Sequence, residues 1–217
     1  MVNIVAVLGY AGSGKDTVGD YFVDKYTYER DSFANPLKDA VAAVFGWPRE
    51  MLEGDTSDSR AWRESPDTWW ERKLDWPSHP GSRISKSFTP RVALQWFGTE
   101  VFRTSFHDSI WIYSLENRLR RKEKVVITDC RFPNEVKVIR DLGGLVIRVK
   151  RGPEPEWHSD ALAALMGMPP AQEAMKERGI HISEWAWLTQ PTDAILENDG
   201  SIEDLWDKVD CLIRHRS

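Results

Sequence analysis

The stretch from Gly9 to Thr17 constrains the fold of this chain more than any other. It reads Gly-Tyr-Ala-Gly-Ser-Gly-Lys-Asp-Thr and directly follows the apolar run from Ile4 to Leu8. A short apolar run next to glycines is typical of a buried strand. Glycines also let the backbone curl around an anion with its N–H groups pointing inward. The stretch therefore predicts a strand, a phosphate-binding loop and a helix, in that order.

The predicted loop offers the groups that bind a nucleoside triphosphate. The N terminus of the following helix favours negative charge, and the ammonium of Lys15 adds a mobile charge for the terminal phosphates. A glycine-rich turn with a chance lysine is the alternative, which the correct flanking strand pattern disfavours. We assign the triphosphate site to Gly9, Ala11, Gly12, Ser13, Gly14, Lys15, Asp16 and Thr17.

The position after the loop lysine departs from the usual pattern. A Ser or Thr hydroxyl normally binds Mg2+ there, whereas this chain has Asp16 and only then Thr17. A carboxylate repels phosphate unless a cation lies between them. We expect Mg2+ to be bound by Asp16, directly or through water, or by Thr17, and the sequence leaves both open. A second apolar run ends in Asp129, where P-loop proteins place an acid near the metal.

Composition and charge limit the remaining classes of function. The 217 residues, 41% of them hydrophobic, suffice for one sizeable core, so we expect a single domain. A net charge of −5 disfavours a surface that coats nucleic acid. Cys130 and Cys211 make no disulfide framework and lack metal-ligand spacing, and Cys130 is expected to be a reduced thiol. We see neither a cationic leader nor an apolar stretch near about 18 residues, and we expect a cytoplasmic protein.

Apolar runs and amphipathic stretches alternate along the chain, which predicts an α/β fold with a mostly parallel sheet between helices. Asn35 and Pro36 are interpreted as the N-cap and first residue of the second helix, and Ser201 as the N-cap of the last. Strands are predicted at 4–8, 28–33, 124–129, 145–149 and 193–197, and helices at 16–26, 35–45, 90–102, 108–121, 133–142 and after 201.

Two segments interrupt this alternation. Residues 49–89 carry four tryptophans among many charges and prolines, which indicates an inserted, partly helical flap. Its tryptophans are expected in a core rather than stacked on a base. Residues 151–191 are interpreted as a mobile lid whose cations cap transferring phosphates, with a solvated helical hairpin as the alternative. The predicted core then comprises residues 1–48, 90–150 and 192–217.

Polar residues interrupt the third predicted helix at regular spacing. Arg91, Gln95, Gly98 and Thr99 fall at i, i+4, i+7 and i+8, on one face of an otherwise apolar helix. Burying Gln or Arg unpaired is costly, and a mid-helix Gly costs about 1 kcal/mol relative to Ala unless something approaches closely. We expect a nucleotide along this face, and satisfaction by neighbouring loops is the alternative.

Three further charged residues are candidates for the site. Lys38 lies in the first turn of a helix, where a cation is disfavoured unless an anion is bound; an exposed lysine is the alternative. Arg131 follows the end of a strand, where ligands of open α/β sheets bind. Arg131 and Glu135 form either an ordinary ion pair or part of the nucleotide site.

Together these pieces resemble the deoxynucleoside monophosphate kinases of tailed bacteriophages. The resemblance runs in order over nearly the whole chain and rests on Ser13–Thr17, Asn35–Asp39, Arg91–Glu100, Trp111, Asp129 with Arg131 and Glu135, His181–Glu184 and Asn198–Ser201. It implies a three-layer P-loop kinase fold with five parallel strands. It also implies transfer of the γ-phosphoryl group of ATP, with Mg2+, to a deoxynucleoside monophosphate for phage DNA synthesis. The monophosphate site it implies consists of Lys38, Arg91, Gln95, Gly98, Thr99, Trp111, Asp129, Arg131 and Glu135.

In phosphoryl transfer, a protein acts mainly by positioning the reactants and neutralising charge. Lys15 is expected to hold the β and γ phosphates, Arg91 and Arg131 the acceptor phosphate, and Arg151 the charge on the moving group. The expected partners are ATP and a deoxynucleoside monophosphate, with no membrane, nucleic acid disfavoured and a homodimer left open.

Two other functions stay open. One is a kinase that acts on a modified base in phage DNA or on another small acceptor, such as a coenzyme precursor. The other is a non-catalytic NTP-binding module. The chain lacks an Asn-Lys-x-Asp guanine-reading motif. A non-catalytic module would also not need the polar residues of the third predicted helix to bind an acceptor, so this function is disfavoured.

Overall fold

The structure is a computed structural model, and it describes residues 3–83 and 85–216. The predicted core includes residues 1, 2 and 217 and the predicted flap includes residue 84, and these four lie outside the described residues. The chain divides into two compact units, Met1–Phe33 with Leu115–Ser217, and Ala34–Ser114. The second unit therefore takes in the second predicted helix and residues 90–114 as well as the flap.

The first unit contains the sheet. Its strands are β1 (Ile4–Leu8), β2 (Glu29–Asp31), β3 (Val125–Ile127), β4 (Leu145–Lys150) and β5 (Ala194–Glu197). They lie in the order β2-β3-β1-β4-β5, and every neighbouring pair is parallel. The predicted α/β fold with a parallel five-stranded sheet is confirmed. Because all strands point the same way, the loops that follow them share one edge of the sheet.

Ten α-helices are found in the described residues, and a π-helix, Phe97–Thr104, continues the fifth. The predicted helix over 90–102 thus changes geometry after Trp96. The α-helices are α1 (Lys15–Tyr26), α2 (Asn35–Phe45), α3 (Ser57–Glu64), α4 (Thr68–Lys73), α5 (Pro90–Trp96), α6 (Ile110–Leu119), α7 (Pro133–Asp141), α8 (His158–Leu165), α9 (Pro169–Glu177) and α10 (Ile202–Arg214). Single 3-10 turns lie at Arg49–Leu52, Trp76–Ser78, Pro80–Arg83 and Ile182–Glu184.

Two of the three helix ends described next follow the local sequence. The Ser201 hydroxyl accepts a hydrogen bond from the backbone N–H of Asp204 at 3.1 Å, so the predicted cap of α10 is confirmed. Gly46 ends α2 with a φ of 70°, a value that side chains disfavour. The prediction that Asn35 caps α2 was wrong by one position, because Ala34 is the cap and Asn35 is the first helical residue.

Two hydrophobic cores support the two units. In the first, Val5 and Val7 of β1 pack with Phe22 of α1 and Leu205 of α10, while α7 packs against β1 and β4. In the second, α2, α5 and the flap share a cluster of eight buried residues that includes Trp47 and Trp76. Trp62 and Trp70 pack against this cluster, so the expectation that the flap tryptophans are core residues is confirmed for these two and Trp76. It was wrong for Trp69, which is 51% exposed.

The remaining part of the first unit is a helical hairpin. Helices α8 and α9 pack on each other through a separate cluster that contains Ala161, Met175 and Trp185. The predicted lid segment thus contains a helical hairpin, and its role as a mobile lid stays a prediction. Across the described residues, no helix is both long and apolar enough to cross a membrane.

Candidate active site

The loop between β1 and α1 has the geometry that its glycines predict. Gly9, Gly12 and Gly14 have φ angles of 154°, 78° and 96°, a region that other L residues rarely adopt. The backbone N–H of Ser13 donates to the carbonyl of Tyr10 at 3.1 Å, which closes the loop before the helix begins. Strand, loop and helix therefore occur in the predicted order.

The loop combines several features of an anion site. The first N–H groups of α1 have no acceptor within the helix and lie at its positive end. Lys15 opens the helix, with its Nζ 3.4 Å from Oδ2 of Asp16. The hydroxyl of Ser13 is buried and has no hydrogen-bond partner among the described residues. An adjoining pocket is lined by Tyr10, Ala11, Gly12, Ser13, Val149, Lys150, Arg151, Pro153 and Glu154. This arrangement suits a polyphosphate.

The turn after β5 supports the loop from behind. Nδ2 of Asn198 donates to the carbonyl of Ser13 at 2.8 Å, and a Cβ on Gly14 would lie 2.4 Å from that same nitrogen. The carboxylate of Asp199 accepts from the backbone N–H of Gly152 at 2.6 Å. This segment entered the sequence prediction only as part of the resemblance, with no role for its side chains. Its side chains in fact fix the backbone on both sides of the pocket.

An aromatic cluster joins the loop to the helical hairpin. The hydroxyl of Tyr10 and Nδ1 of His158 are 2.7 Å apart, and the Tyr10 ring centroid lies 5.2 Å from those of both Trp157 and Trp187. Arg148 lies over the Tyr10 ring and donates to both carboxylate oxygens of Glu154 at 2.7 Å. Burial and the charge of Glu154 raise the pKa of Tyr10 well above its usual range. The residues that open the predicted lid are therefore packed on the loop.

The predicted metal residues fit a cation that arrives with the nucleotide. Asp16 is 61% exposed in the first turn of α1, and Asp129 follows the end of β3. Within residues 3–83 and 85–216, no group of three acidic, histidine or cysteine side chains could hold a metal alone. Mg2+ usually takes one or two carboxylates and completes its shell with water and substrate phosphates. The donor set present here is of that kind.

Arg131 and Glu135 do not form the ion pair that was one of the two interpretations. The guanidinium of Arg131 instead pairs with the carboxylate of Glu184 and lies 3.4 Å from the hydroxyl of Ser183. Glu135 is buried and accepts from the backbone N–H of Arg131 at 2.8 Å and of Phe132 at 3.1 Å. Glu135 thus fixes the chain at the start of α7, and Arg131 faces the segment that was predicted to be the lid.

Lys38 has an anionic partner that the sequence did not reveal. Its Nζ lies 2.5 Å from Oε2 of Glu53, and Arg49 binds the other oxygen of that carboxylate and also Asp39. Burial alone would raise the pKa of Glu53, but the hydrogen bonds and charges of Lys38 and Arg49 hold it below its ordinary value. The cation in the first turn of α2 is therefore balanced within the protein.

The polar face of α5 is exposed, so the expectation that it is buried was wrong. Arg91 is 54% exposed, and its Nη1 lies 2.8 Å from Oε1 of Glu64 on α3. Gln95 and Thr99 are exposed as well. The cost of burying unpaired polar groups therefore does not require a nucleotide on this face. The wider π-helical turns that begin at Phe97 also shift later residues off the regular α-helical spacing.

Gly98 and Trp111 are buried in the second unit. A Cβ on Gly98 would lie 2.9 Å from Cδ2 of Leu37, so the close approach that requires glycine is made by α2. Nε1 of Trp111 donates to the carbonyl of Gly98 at 3.0 Å, and its ring contacts Phe102. Trp111 is only 7% exposed. These two residues, predicted to line the monophosphate site, support the π-helix from inside.

The two units divide the predicted residues between them. The first unit contains the loop residues together with Asp129, Arg131, Glu135 and Arg151. The second unit contains Lys38, Arg91, Gln95, Gly98, Thr99 and Trp111. The carboxylate partners Glu53, Glu64 and Glu184 were not predicted as partners. Glu53 carried a local signal for one of its pairs, because it lies four residues after Arg49 on a turn.

A parallel sheet with a glycine-rich phosphate loop between its central strand and a helix defines a P-loop nucleotide-binding protein. A family profile described as deoxynucleotide monophosphate kinase matches residues 81–209, more than half of the chain. The chain belongs to the deoxynucleotide monophosphate kinase family. The resemblance predicted from the sequence is confirmed.

Several viral proteins are similar to this chain. The deoxynucleoside-5'-monophosphate kinase of Escherichia phage T5 is 28% identical, over 83% of this chain and 83% of its own. A putative deoxynucleotide monophosphate kinase of Acanthamoeba polyphaga mimivirus is 29% identical, over 68% of this chain and 74% of its own. The deoxynucleotide monophosphate kinase of Enterobacteria phage T4 is 21% identical, over 96% of this chain and 97% of its own.

Proposed function

We propose that this protein transfers the γ-phosphoryl group of ATP to a deoxynucleoside monophosphate and releases the diphosphate. The observation that carries the proposal is the phosphate loop, whose glycine geometry and Lys15 suit a triphosphate, in a chain of the deoxynucleotide monophosphate kinase family. The names of the viral relatives support a deoxynucleotide acceptor. Such an enzyme would supply precursors for DNA synthesis in the cytoplasm, the host's if the protein is viral.

On the donor side, each proposed role follows from where a residue lies. Lys15 and the N–H groups at the start of α1 would bind the β and γ phosphates of ATP. A bound Mg2+ would supply neutralisation of the phosphate charge. Asp16 or Thr17 would hold it together with Asp129. Arg151 lies at the pocket over the loop and would stabilise charge on the moving phosphoryl group.

On the acceptor side, the proposed cations are paired with carboxylates of the protein. Arg91 pairs with Glu64, Lys38 with Glu53, and Arg131 with Glu184. An exposed ion pair contributes little to stability, so a phosphate dianion can replace Glu64 as the partner of Arg91 at small cost. Gln95 and Thr99 are exposed and would supply hydrogen bonds to the same nucleotide.

The proposal is tested by release of ADP from ATP and Mg2+ against a panel of deoxynucleoside monophosphates, ribonucleoside monophosphates and short single-stranded DNA. We expect turnover with at least one deoxynucleoside monophosphate. Turnover with DNA alone would indicate a kinase of bases in DNA, which the net charge of −5 disfavours. ATP binding without release of ADP for any acceptor would indicate a binding module.

A further inference from the structure

The residue that follows β2 contacts the acid that follows β3. The hydroxyl of Ser32 donates to Oδ2 of Asp129 at 2.7 Å, and the backbone N–H of Phe33 donates to Oδ1 at 3.1 Å. One donor on each oxygen fixes the plane of a carboxylate. The pairing of Asp31 with Ile127 at the ends of β2 and β3 brings these residues together.

Ser32 is itself held by a buried charge cluster. Its N–H donates to Oδ1 of Asp31 at 2.7 Å, and its carbonyl accepts from Nη2 of Arg118 at 2.8 Å. Arg118 also donates to the Asp31 carboxylate, whose side chain is 4% exposed, and Lys122 lies 3.2 Å from it. Both backbone groups of Ser32 are therefore fixed, which leaves its hydroxyl at a defined place beside Asp129.

The same strand reaches the other predicted metal residue. Nη2 of Arg30, in β2, donates to the backbone carbonyl of Asp16 at 2.8 Å. A Cβ on Gly19 would lie 2.4 Å from that guanidinium nitrogen and 2.6 Å from Cγ2 of Thr128. A glycine inside α1 thus lets β2 and the segment after β3 approach the first turn of the helix. The end of β2 supports both Asp16 and Asp129.

We propose that Ser32 is a positioning residue that orients the carboxylate of Asp129 toward the metal of the metal–nucleotide complex. This inference rests on the proposed function, because it gives Asp129 a metal to bind. An ionised carboxylate has about four lone pairs, so a hydrogen bond can orient it and still leave it able to accept from a metal-bound water. Groups that orient metal ligands typically change metal affinity or activity by about 10- to 100-fold when removed.

The test uses two measurements on the full chain. One is the Mg2+ concentration that gives half-maximal ADP release. The other is the affinity of the protein–ATP complex for Mn2+, measured by electron paramagnetic resonance without turnover. We expect Ser32→Ala to raise the half-maximal Mg2+ concentration and the Mn2+ dissociation constant, each about 10-fold. Ser65→Ala is the matched control and should leave both values unchanged. Ser65 is exposed, and its hydroxyl donates to the backbone carbonyl of Ala61 at 3.0 Å.

A second pair of variants separates the hydroxyl from packing. Ser32→Thr and Ser32→Val have nearly the same shape, but only Thr retains a donor. We expect Thr to remain near wild type and Val to behave as Ala does. If Thr and Val weaken metal binding equally, the residue acts through packing and the proposal is overturned. This pair also decides the question if Ser32→Ala fails to fold.

A double-mutant cycle tests whether Ser32 acts through Asp129. We expect Ser32→Ala to add nothing to the Mn2+ affinity lost in Asp129→Asn, because contacting residues that act together are not additive. Additive losses would overturn the inference, as would an unchanged Mn2+ affinity in Asp129→Asn or in Ser32→Ala. Failure of the proposed function looks different: the wild-type protein would release no ADP with any deoxynucleoside monophosphate, whereas its Mn2+ affinity would still test Ser32.

Discussion

The phosphate loop and the polar face of α5 were both predicted from residue spacing, but only the loop has the predicted geometry and surroundings. The loop has the positive φ angles at all three glycines and meets its helix at Lys15. The polar face is exposed, is interrupted by a π-helix, and has Arg91 paired with Glu64. The loop follows from short-range rules about glycine and helix ends, whereas the face depends on what packs around a helix. Local chemistry is thus a safer guide than an inferred environment.

The largest expected effect is the loss of activity when Lys15 of the phosphate loop is replaced. Lys15→Ala should lower kcat/KM about 1,000-fold, the size of effect seen when a preorganised charge-stabilising group is removed from an active site. The fold should survive, because Lys15 is not a member of the hydrophobic cluster formed by β1, α1 and α10. Lys137→Ala, which removes an exposed lysine paired with Asp141 on α7, is the control and should leave kcat/KM unchanged. Near-normal turnover of Lys15→Ala would refute the assignment of the loop.

The second effect compares the Arg118–Asp31 ion pair, whose carboxylate is buried, with the exposed Arg91–Glu64 pair. Arg118→Gln should lower the free energy of unfolding by about 3 kcal/mol, because it leaves Asp31 buried and poorly compensated. Glu64→Gln should cost less than about 1 kcal/mol. Urea unfolding at neutral pH measures both. Equal losses would show that the two regions are supported alike.

The stability that the Arg118–Asp31 ion pair contributes depends on pH. Burial would raise the pKa of Asp31, but the hydrogen bonds of Arg118 and Ser32 and the nearby positive charges hold it below its ordinary value. A carboxyl group whose pKa is lower in the folded state stabilises the protein above its unfolded pKa of about 3.9, and this stability is lost as the pH falls through the folded pKa. The stability gap between wild type and Arg118→Gln should therefore narrow in urea unfolding below about pH 4. A constant gap would contradict this origin.

A smaller effect tests the polar face as a nucleotide site. Arg91→Ala should raise the KM for the deoxynucleoside monophosphate about 10-fold, the loss expected for one hydrogen bond to a charged group, with the KM for ATP unchanged. Initial rates at varied concentrations of each substrate separate the two constants. Glu64→Gln is the matched control, since it removes the ion pair and keeps the arginine. A change confined to ATP would move Arg91 to the donor side.

The smallest effect concerns Trp111, which was predicted to lie in the monophosphate site and is a buried residue of the second unit. Trp111→Phe removes the hydrogen bond to the Gly98 carbonyl and should lower the free energy of unfolding by about 1 kcal/mol. The KM for the deoxynucleoside monophosphate should stay close to that of wild type. A large rise in this KM with unchanged stability would return Trp111 to the binding site.

Particular residues show how far sequence reasoning reached. Apolar runs predicted four of the five strands, and alternation over residues 28–33 predicted β2. The glycines and Lys15 predicted the loop, because backbone conformation and strand patterning depend on neighbours in sequence. Lys38 was recognised as a cation that needs an anion, but Glu53 could not be named as its partner. Arg131 was placed at the sheet edge, but its choice of Glu184 over Glu135 depends on residues about fifty positions apart.

The sequence by itself determined the order of strands and helices, the phosphate-binding loop and the family, because each depends on residue type and spacing along the chain. Only the tertiary structure decided which charges pair, which predicted binding residues are buried, and that Ser32 and Asn198 support Asp129 and the loop. The physical reason is the short range of the interactions that pair these groups. Hydrogen bonds and ion pairs form over about 3 Å, and only the folded chain brings residues from distant positions to that distance.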